Sequence, residues 1–380
     1  MRRFLPTALL TLLSVLLAGG LTLLPGTASA ARGKKKSASG TTEAPKPLSA
    51  YEKLFKDKRV TTVRGFMTLH MFEGNKLYVE LPDSLLGREM LLGTTIEESS
   101  DPGEGHLPPA GQQPRDPLHV VFTRSDSLIC LRRVHSDVLV EGDSLMARAV
   151  RRSNIDPVIA SFPVKCKAPD GSSVFEATSF FVNGAPAMRP HDPYGINSFG
   201  GFLSTTVNYV AGCSLLSGVE AFADNVSVLS SLSFTLTTRF GGYLINKDTP
   251  YTALARRSLM LLPREVMMPR LCDSRIGTVP VAFVKFSDRE QEAKAVYYAC
   301  RWNLKPSDPA AFAAGKLTTP ERPIVFYVDD TFPAGWYDAI RRGLLSWNAA
   351  FEKIGYRDAV QVRPYPRDDA SFDPNDIKFS

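Results

Sequence analysis

Between Thr61 and Trp302 the chain is a succession of short β-branched and apolar runs, most of them closed by Gly, Pro, Asn or Asp. Strands punctuated this often favour antiparallel pairing over the long crossovers of a parallel sheet. Thr61–Phe72 and Lys76–Leu81, separated by Gly74-Asn75, predict a hairpin. Met90–Ile96 adds a strand, and a helical turn at Tyr51–Lys56 precedes them. Together these make a small β-rich domain over residues 50–98. Residues 99–117 are rich in Gly, Pro and Asp and read as a loop. A larger β-rich domain is expected over residues 118–302. Its strands are Leu118–Thr123, Ser127–Arg133, Ser161–Cys166, Ser173–Phe181, Ser227–Thr238, Val279–Phe286 and Ala295–Trp302. Ser144–Arg152 and Gly218–Ala223 read as helical, and Arg189–Gly195 as a turn-rich surface loop. The fold class is therefore α+β, mostly antiparallel β in residues 50–302.

Residues 303–322 look like a proline-punctuated linker, and the pattern then changes. Pro323–Val328 is an apolar strand. Trp336, Ile340, Leu344, Trp347, Phe351 and Ile354 recur at helical spacing, which predicts one helix of about five turns with a continuous apolar face. Pro333 suits its first turn and Gly355 its C-terminal cap. Ala359–Arg363 and Asp376–Ser380 read as further strands. A strand, helix, strand order opens an α/β domain, and so wide an apolar face needs a sheet to cover it. The final strand pattern stops at Ser380, so residues 323–380 are expected to be the truncated start of that domain.

The first residues carry an address. Arg2 and Arg3 precede an uncharged, leucine-rich run from Phe4 to Leu24, and Ala28-Ser29-Ala30 forms a small-x-small cleavage site. Residues 1–30 therefore read as a secretory signal peptide, favoured over an uncleaved anchor. Export places the chain in the periplasm, at the cell surface or outside the cell, with no stable transmembrane segment after cleavage. Residues 31–49, with Arg32-Gly-Lys-Lys-Lys36, read as a disordered basic leader. The formal charge of +6 is too mild to argue for nucleic acid. The five cysteines, Cys130, Cys166, Cys213, Cys272 and Cys300, have no close spacing of the kind zinc or redox motifs use, and buried free thiols are favoured.

Catalytic signatures are absent from the sequence. The five histidines, His70, His106, His119, His135 and His191, include no H-E-x-x-H and no pair at helical spacing. His70 in a strand reads as structural, and His191 beside Asp192 is the best remaining polar pair. Gly212-Cys213-Ser214-Leu215 lacks the second glycine of a nucleophile elbow. Ala314-Gly315-Lys316 lacks the glycine that a phosphate loop requires. The neighbouring acids Glu97-Glu98, Asp329-Asp330 and Asp368-Asp369 read as solvated caps. Arg264, Arg270 and Arg275 around Asp273 read as a structural charged turn. No catalytic, cofactor-binding or metal residue is assigned.

The segment Arg322–Pro333, followed by Trp336, Trp347-Asn348 and Phe351–Gly355, resembles the entry to a zincin domain of large secreted bacterial zinc-dependent metalloproteases, common in Bacteroidetes. Asp373–Ile377 resembles that family's next strand. Gly65–His70, Tyr78–Pro82 and Leu85–Leu91 are similar to the first of two N-terminal domains of unknown function. Met268–Gly277 and Tyr298–Leu304 are similar to the end of the second. The resemblance implies the N-terminal portion of an exported metallopeptidase acting on a protein or peptide. In the complete enzyme a zinc-bound water would attack the peptide bond. The family's zinc motif lies beyond this helix, so no zinc is expected in this chain and it is expected to be inactive alone. The alternative is a non-catalytic exported β-rich protein that binds peptide or glycan.

Overall fold

The computed structural model describes residues 47–100, 109–140, 145–183, 188–191, 196–289, 292–369 and 372–379. The signal peptide expected over residues 1–30, most of the basic leader, His106 and Asp192 lie outside the described residues.

Ser49 starts the fold with a reciprocal capping box to Glu52 at the head of helix α1 (Ala50–Phe55). Strands β1 (Val60–Arg64), β2 (Thr68–Phe72) and β3 (Lys76–Leu81) follow, and Gly74 (φ 86°) and Asn75 (φ 66°) supply the left-handed turn between the last two. Thr61–Phe72 is thus two strands rather than the single one expected. The break falls at Gly65–Met67, where the Phe66 amide leaves the ladder and donates to the Phe222 carbonyl at 2.8 Å. Next come β4 (Glu89–Ser99), β5 (Leu118–Ser125), β6 (Leu128–Arg133), β7 (Val138–Val140), α2 (Leu145–Ser153), β8 (Val158–Lys167), β9 (Ser173–Glu176) and α3 (Thr178–Phe181). The chain continues through β10 (Ile196–Ser198), β11 (Leu203–Tyr209), β12 (Leu215–Ala221), β13 (Asn225–Phe240) and β14 (Tyr243–Leu261).

Thirteen of these strands pair antiparallel in the order β1-β2-β3-β9-β8-β6-β5-β4-β14-β13-β11-β10, with β12 also on β13. The sheet curls into a half-barrel, so that the β1–β2 turn meets the end of β12 at Gly65 and Phe222. The Asn75 side chain closes the same seam by accepting from the Leu216 amide at 2.6 Å. Inside lies the main core, including Leu69, Leu77, Met90, Val120, Phe122, Ile129, Phe162, Phe175 and Val228, with Phe180, Phe181 and Met188 filling the concave face. A second core forms around Ile96, Leu232, Phe234 and Tyr251. A third, around Phe72, Tyr78 and Val174, seats Tyr51, Leu54 and Phe55 of α1. The segments read as residues 50–98 and 118–302 therefore share one sheet, because β3 pairs β9 and β4 pairs both β5 and β14.

Several local expectations are corrected. Gly218–Ala223 is not helical: Gly218 to Ala221 belong to β12, where pairing with β13 overrides a weak propensity, and Phe222 and Ala223 follow the strand. Ser173–Phe181 ends its strand at Glu176 and turns into α3. The Arg189–Gly195 loop is not superficial where it is described, since Met188, Pro190 and His191 are buried. Residues 303–322 carry α4 (Pro309–Ala313), N-capped by Asp308, and Thr318 and Tyr356 tie this segment to the unit that follows.

A separate three-stranded sheet joins β16 (Lys294–Ala299), β15 (Pro280–Phe286) and β7, with β15 parallel to β7. Finally, β17 (Ile324–Val328) and β18 (Val360–Pro364) pair in parallel across two helical segments, α5 (Ala334–Leu345) and α6 (Asn348–Glu352). The expected single helix is split at Ser346–Trp347, where the hydrogen bonding tightens: the Trp347 amide donates to Leu344 and the Ala349 amide to Ser346. Both residues keep helical backbone angles, so the apolar face runs on. Gly355 (φ 96°) ends the helix as expected. Ile377–Phe379 forms a 3₁₀ turn instead of the expected third strand, because Asp376 caps it and no strand lies alongside to pair with it among the described residues.

Candidate functional site

Ligands in open α/β units bind outside the carboxyl ends of parallel strands. Here β17 and β18 both end at an open cleft of about 780 Å³ lined by Asp329, Asp330, Tyr337, Tyr365, Arg367 and Asp369, among others. The sequence treated Asp329-Asp330 and Asp368-Asp369 as unrelated turn acids, and parallel pairing brings them to one rim. Asp329 accepts from the Thr331 hydroxyl at 2.6 Å and its amide at 2.8 Å, which holds its carboxyl below the ordinary aspartate value. Asp330 pairs with Arg367, and that partner raises the guanidinium further above its ordinary value. Asp329 therefore does a capping job, and Arg367 offsets part of the negative charge at the rim.

A second polar centre holds the C-terminal segment on the half-barrel. Arg256 of β14 reaches Glu220 of β12 at 2.5 Å and Glu97 of β4 at 2.9 Å. Glu220 also accepts from the Asn375 amide group at 2.9 Å. Burial lifts the Glu220 carboxyl above the ordinary glutamate value, and Asp373 and Glu97 add to that lift, while Arg256 opposes it. Asp376, buried, accepts from the Asn225 side chain at 2.8 Å and pairs with Lys378 at 2.6 Å. Sequence reading assigned none of these roles. Glu220 and Arg256 lie on different strands, and only pairing with β13 sets them side by side.

The third centre is the most enclosed. Glu80 of β3 accepts from the Tyr51 hydroxyl at 2.5 Å and lies 2.8 Å from His70 Nε2, while His70 Nδ1 lies 2.8 Å from the Thr62 hydroxyl. An ionised carboxylate only accepts, so His70 Nε2 carries a proton toward Glu80, and Nδ1 is left to pair with the Thr62 hydroxyl. Burial alone would raise the Glu80 carboxyl, but the hydrogen bonds from His70 and Tyr51 outweigh it and hold it below the ordinary value. The Tyr51 phenol is pushed up by burial and then by its bond to Glu80. His70, packed edge-on against Phe55, has all its polar atoms engaged and is a structural histidine, as its strand position predicted. A readable signal existed: alternation puts His70 and Glu80 on the face of the β2–β3 hairpin opposite the apolar one of Leu69, Leu77, Val79 and Leu81.

His191 is buried edge-on against Phe234 at 4.9 Å, in the interior rather than in a cleft. Arg257 is buried as well, with no acid against it among the described residues. Its two terminal nitrogens donate to the carbonyls of Phe181 at 2.8 Å and Met188 at 3.0 Å, and burial pushes its pKa down to about 10. Arg257 thus fastens the segment around α3 and Met188 into the half-barrel. His119 pairs with Glu89 at 3.2 Å on the surface. Arg275 pairs with Asp273 at 2.6 Å, making the charged turn that was expected there. All five cysteines are free, but only Cys130 is buried, and Cys213 and Cys300 are exposed, which corrects the expectation of buried thiols. No three His, Cys, Asp or Glu side chains converge to hold a metal ion among the described residues. Among those residues no ligand set fits the zinc that the resemblance implies for the complete enzyme. No described helix is long and apolar enough to cross a membrane.

No curated protein and no solved structure matches the chain. Residues 48–99 match a domain of unknown function, DUF5118, which corresponds to α1 through β4. Residues 111–307 match a second, DUF5117, spanning β5 through β16. These are two N-terminal domains of unknown function, as the resemblance implied. The second covers just over half of the sequence, and the chain belongs to the DUF5117 family.

Proposed function

We propose that this chain is the N-terminal, non-catalytic portion of an exported zinc-dependent metallopeptidase, and that β17, α5, α6 and β18 are the entry to its zincin domain. One observation carries the reading. No described residue of α5 or α6 is buried, and the apolar face holds Trp336 and Trp347 more than half exposed, with Ile354 just beyond. A helix with two tryptophans on one face is built to be covered by more sheet than two strands provide. The half-barrel serves in this reading as a folded platform in front of the catalytic domain, tied to it through Asn375 and Asp376. The zinc ligands and the general base come from residues other than these 380.

The test has two arms. Reading the gene past codon 380 is expected to reveal an in-frame H-E-x-x-H, and residues 31–380 alone are expected to hold no stoichiometric zinc and to leave casein intact. A stop codon with a stable secreted product would favour the peptide- or glycan-binding alternative. Stoichiometric zinc with casein cleavage by residues 31–380 would overturn the proposal outright.

A further inference from the structure

On its β14 side the end of the β13–β14 hairpin outruns β4, while on its β13 side β11 pairs to the last residue, Leu203 opposite Phe240. Of the 19 residues of β14, only Ala253–Leu261 pair with β4, and the part from Tyr243 to Pro250 is supported by β13 alone. Every residue from Arg239 to Pro250 is exposed. Charged and small residues would be expected on such an exposed sheet end, yet Phe240, Tyr243, Leu244 and Ile245 of the hairpin, with Phe202 just before β11, stand at 52%, 80%, 48%, 58% and 63% exposure. The cluster is held together. Phe240 faces Tyr243 across the strands, the Phe202 and Phe240 rings lie 6.3 Å apart, and the Gly241 amide donates to the Phe202 carbonyl at 2.7 Å.

From this geometry we propose that the end of the β13–β14 hairpin is a docking site for a bilayer surface carrying anionic phospholipid headgroups. A projecting turn gives a rigid partner no concavity to fill, but it enters a soft interface readily, and aromatic side chains favour that depth. The cations are set back from the apolar end as such docking requires. Arg239 precedes Phe240, Lys247 follows Ile245 by two residues, and Asp248 is the single acid of the exposed stretch. Strand addition by a second copy or a peptide is opposed by the strand itself. The register with β13 shifts twice between Leu236 and Arg239, leaving Ile245 and Lys247-Asp248 outside the ladder; Asp248 sits at φ 52° and Pro250 lacks an amide donor, so the free edge of β14 is interrupted between Leu244 and Thr249. The paired backbone at the tip keeps its own hydrogen bonds, so shallow insertion strands few polar groups.

The apolar run Phe4–Leu24 and the basic residues 32–36 would bind lipid themselves, so the protein used is the compact unit that starts after Pro47. It is sedimented with vesicles of phosphatidylcholine mixed equally with phosphatidylglycerol, and with phosphatidylcholine alone. Wild type is expected to pellet with the mixed vesicles, less with the neutral ones, and less at high salt. Phe240→Ser with Leu244→Ser is expected to weaken binding roughly tenfold or more, with an unchanged thermal melt, because neither side chain belongs to a core. Trp336→Ser with Trp347→Ser is expected to bind as wild type does. The proposal is overturned if wild type stays in the supernatant, if the hairpin variant binds equally, or if the tryptophan variant is the one that fails. It is also overturned if lipid-free ultracentrifugation shows a dimer that the hairpin variant converts to monomer, since a second copy is then the occupant.

Discussion

Gly65 sits where the half-barrel nearly closes, and replacing it with alanine tests that closure directly. Its backbone is not in a glycine-only region, so the objection to a side chain is steric. A Cβ there would lie 2.2 Å from the Phe222 carbonyl oxygen, 2.7 Å from the Phe222 nitrogen and 2.9 Å from the Ala221 carbonyl carbon. All three are main-chain atoms, so no rotamer change relieves the clash. The β1–β2 turn must retreat by about an ångström, and the hydrogen bond from the Phe66 amide to Phe222 is lost with it. Overpacking costs about 1–3 kcal/mol and the hydrogen bond about 1 kcal/mol. The smaller conformational entropy of the unfolded alanine chain returns roughly 0.4–1 kcal/mol. The net destabilisation is about 1–3.5 kcal/mol. At roughly 2 °C per kcal/mol, the lower figure for large domains, the midpoint of thermal unfolding falls by about 2–7 °C. Gly93 in β4 is the control, because nothing stands within 4 Å of its added Cβ and its φ is ordinary. Gly93→Ala is expected to be neutral or slightly stabilising in the same differential scan. An unchanged or raised midpoint for Gly65→Ala would show that the seam between β1–β2 and β12 is loose, and the closure argument would fail.

Two further perturbations probe the buried polar groups. Glu80 has its carboxyl held below the unfolded glutamate value, so it contributes stability that is fully present above that value, about pH 4.3, and is lost as the pH falls through its lower folded value. Protease sensitivity of α1 is expected to rise across that acid window in wild type, and the pH dependence is expected to flatten in Glu80→Gln, which cannot titrate; an unaltered pH profile in the variant would remove Glu80 as the cause. Arg257→Met leaves the Met188 carbonyl without the donor seen here, whereas Phe181 retains Ser230, so stability is expected to fall by about 1–3 kcal/mol with amide exchange rising at Phe180 to Val182. Exchange unchanged in that segment would show that Arg257 does not fasten it.

Much of the fold is legible locally. The turn chemistry of Gly74-Asn75, the helical turn near Tyr51, the β17–helix–β18 order and the Gly355 stop are written in residues a few positions apart, and local sterics and hydrogen bonding decide them. The candidate sites are less so. Strand alternation made His70 structural from sequence alone, but its partner Glu80 acts through the register of β2 on β3, and Tyr51 through the docking of α1. Gly218–Ala223 was misread because strand preference there comes from the neighbour β13, not from the residues themselves.

The sequence by itself determined that this chain is mostly antiparallel β, with one amphipathic helix between two apolar strands, because periodicity and turn residues act over short distances. Only the tertiary structure decided that two segments matching separate families share one curled sheet, that Arg257 is buried with no acid beside it among the described residues, and that the apolar faces of α5–α6 and of the β13–β14 end stay in solvent. Those outcomes depend on which strands pair across a hundred residues or more, and on curvature that brings Gly65 against Phe222. No local pattern encodes either.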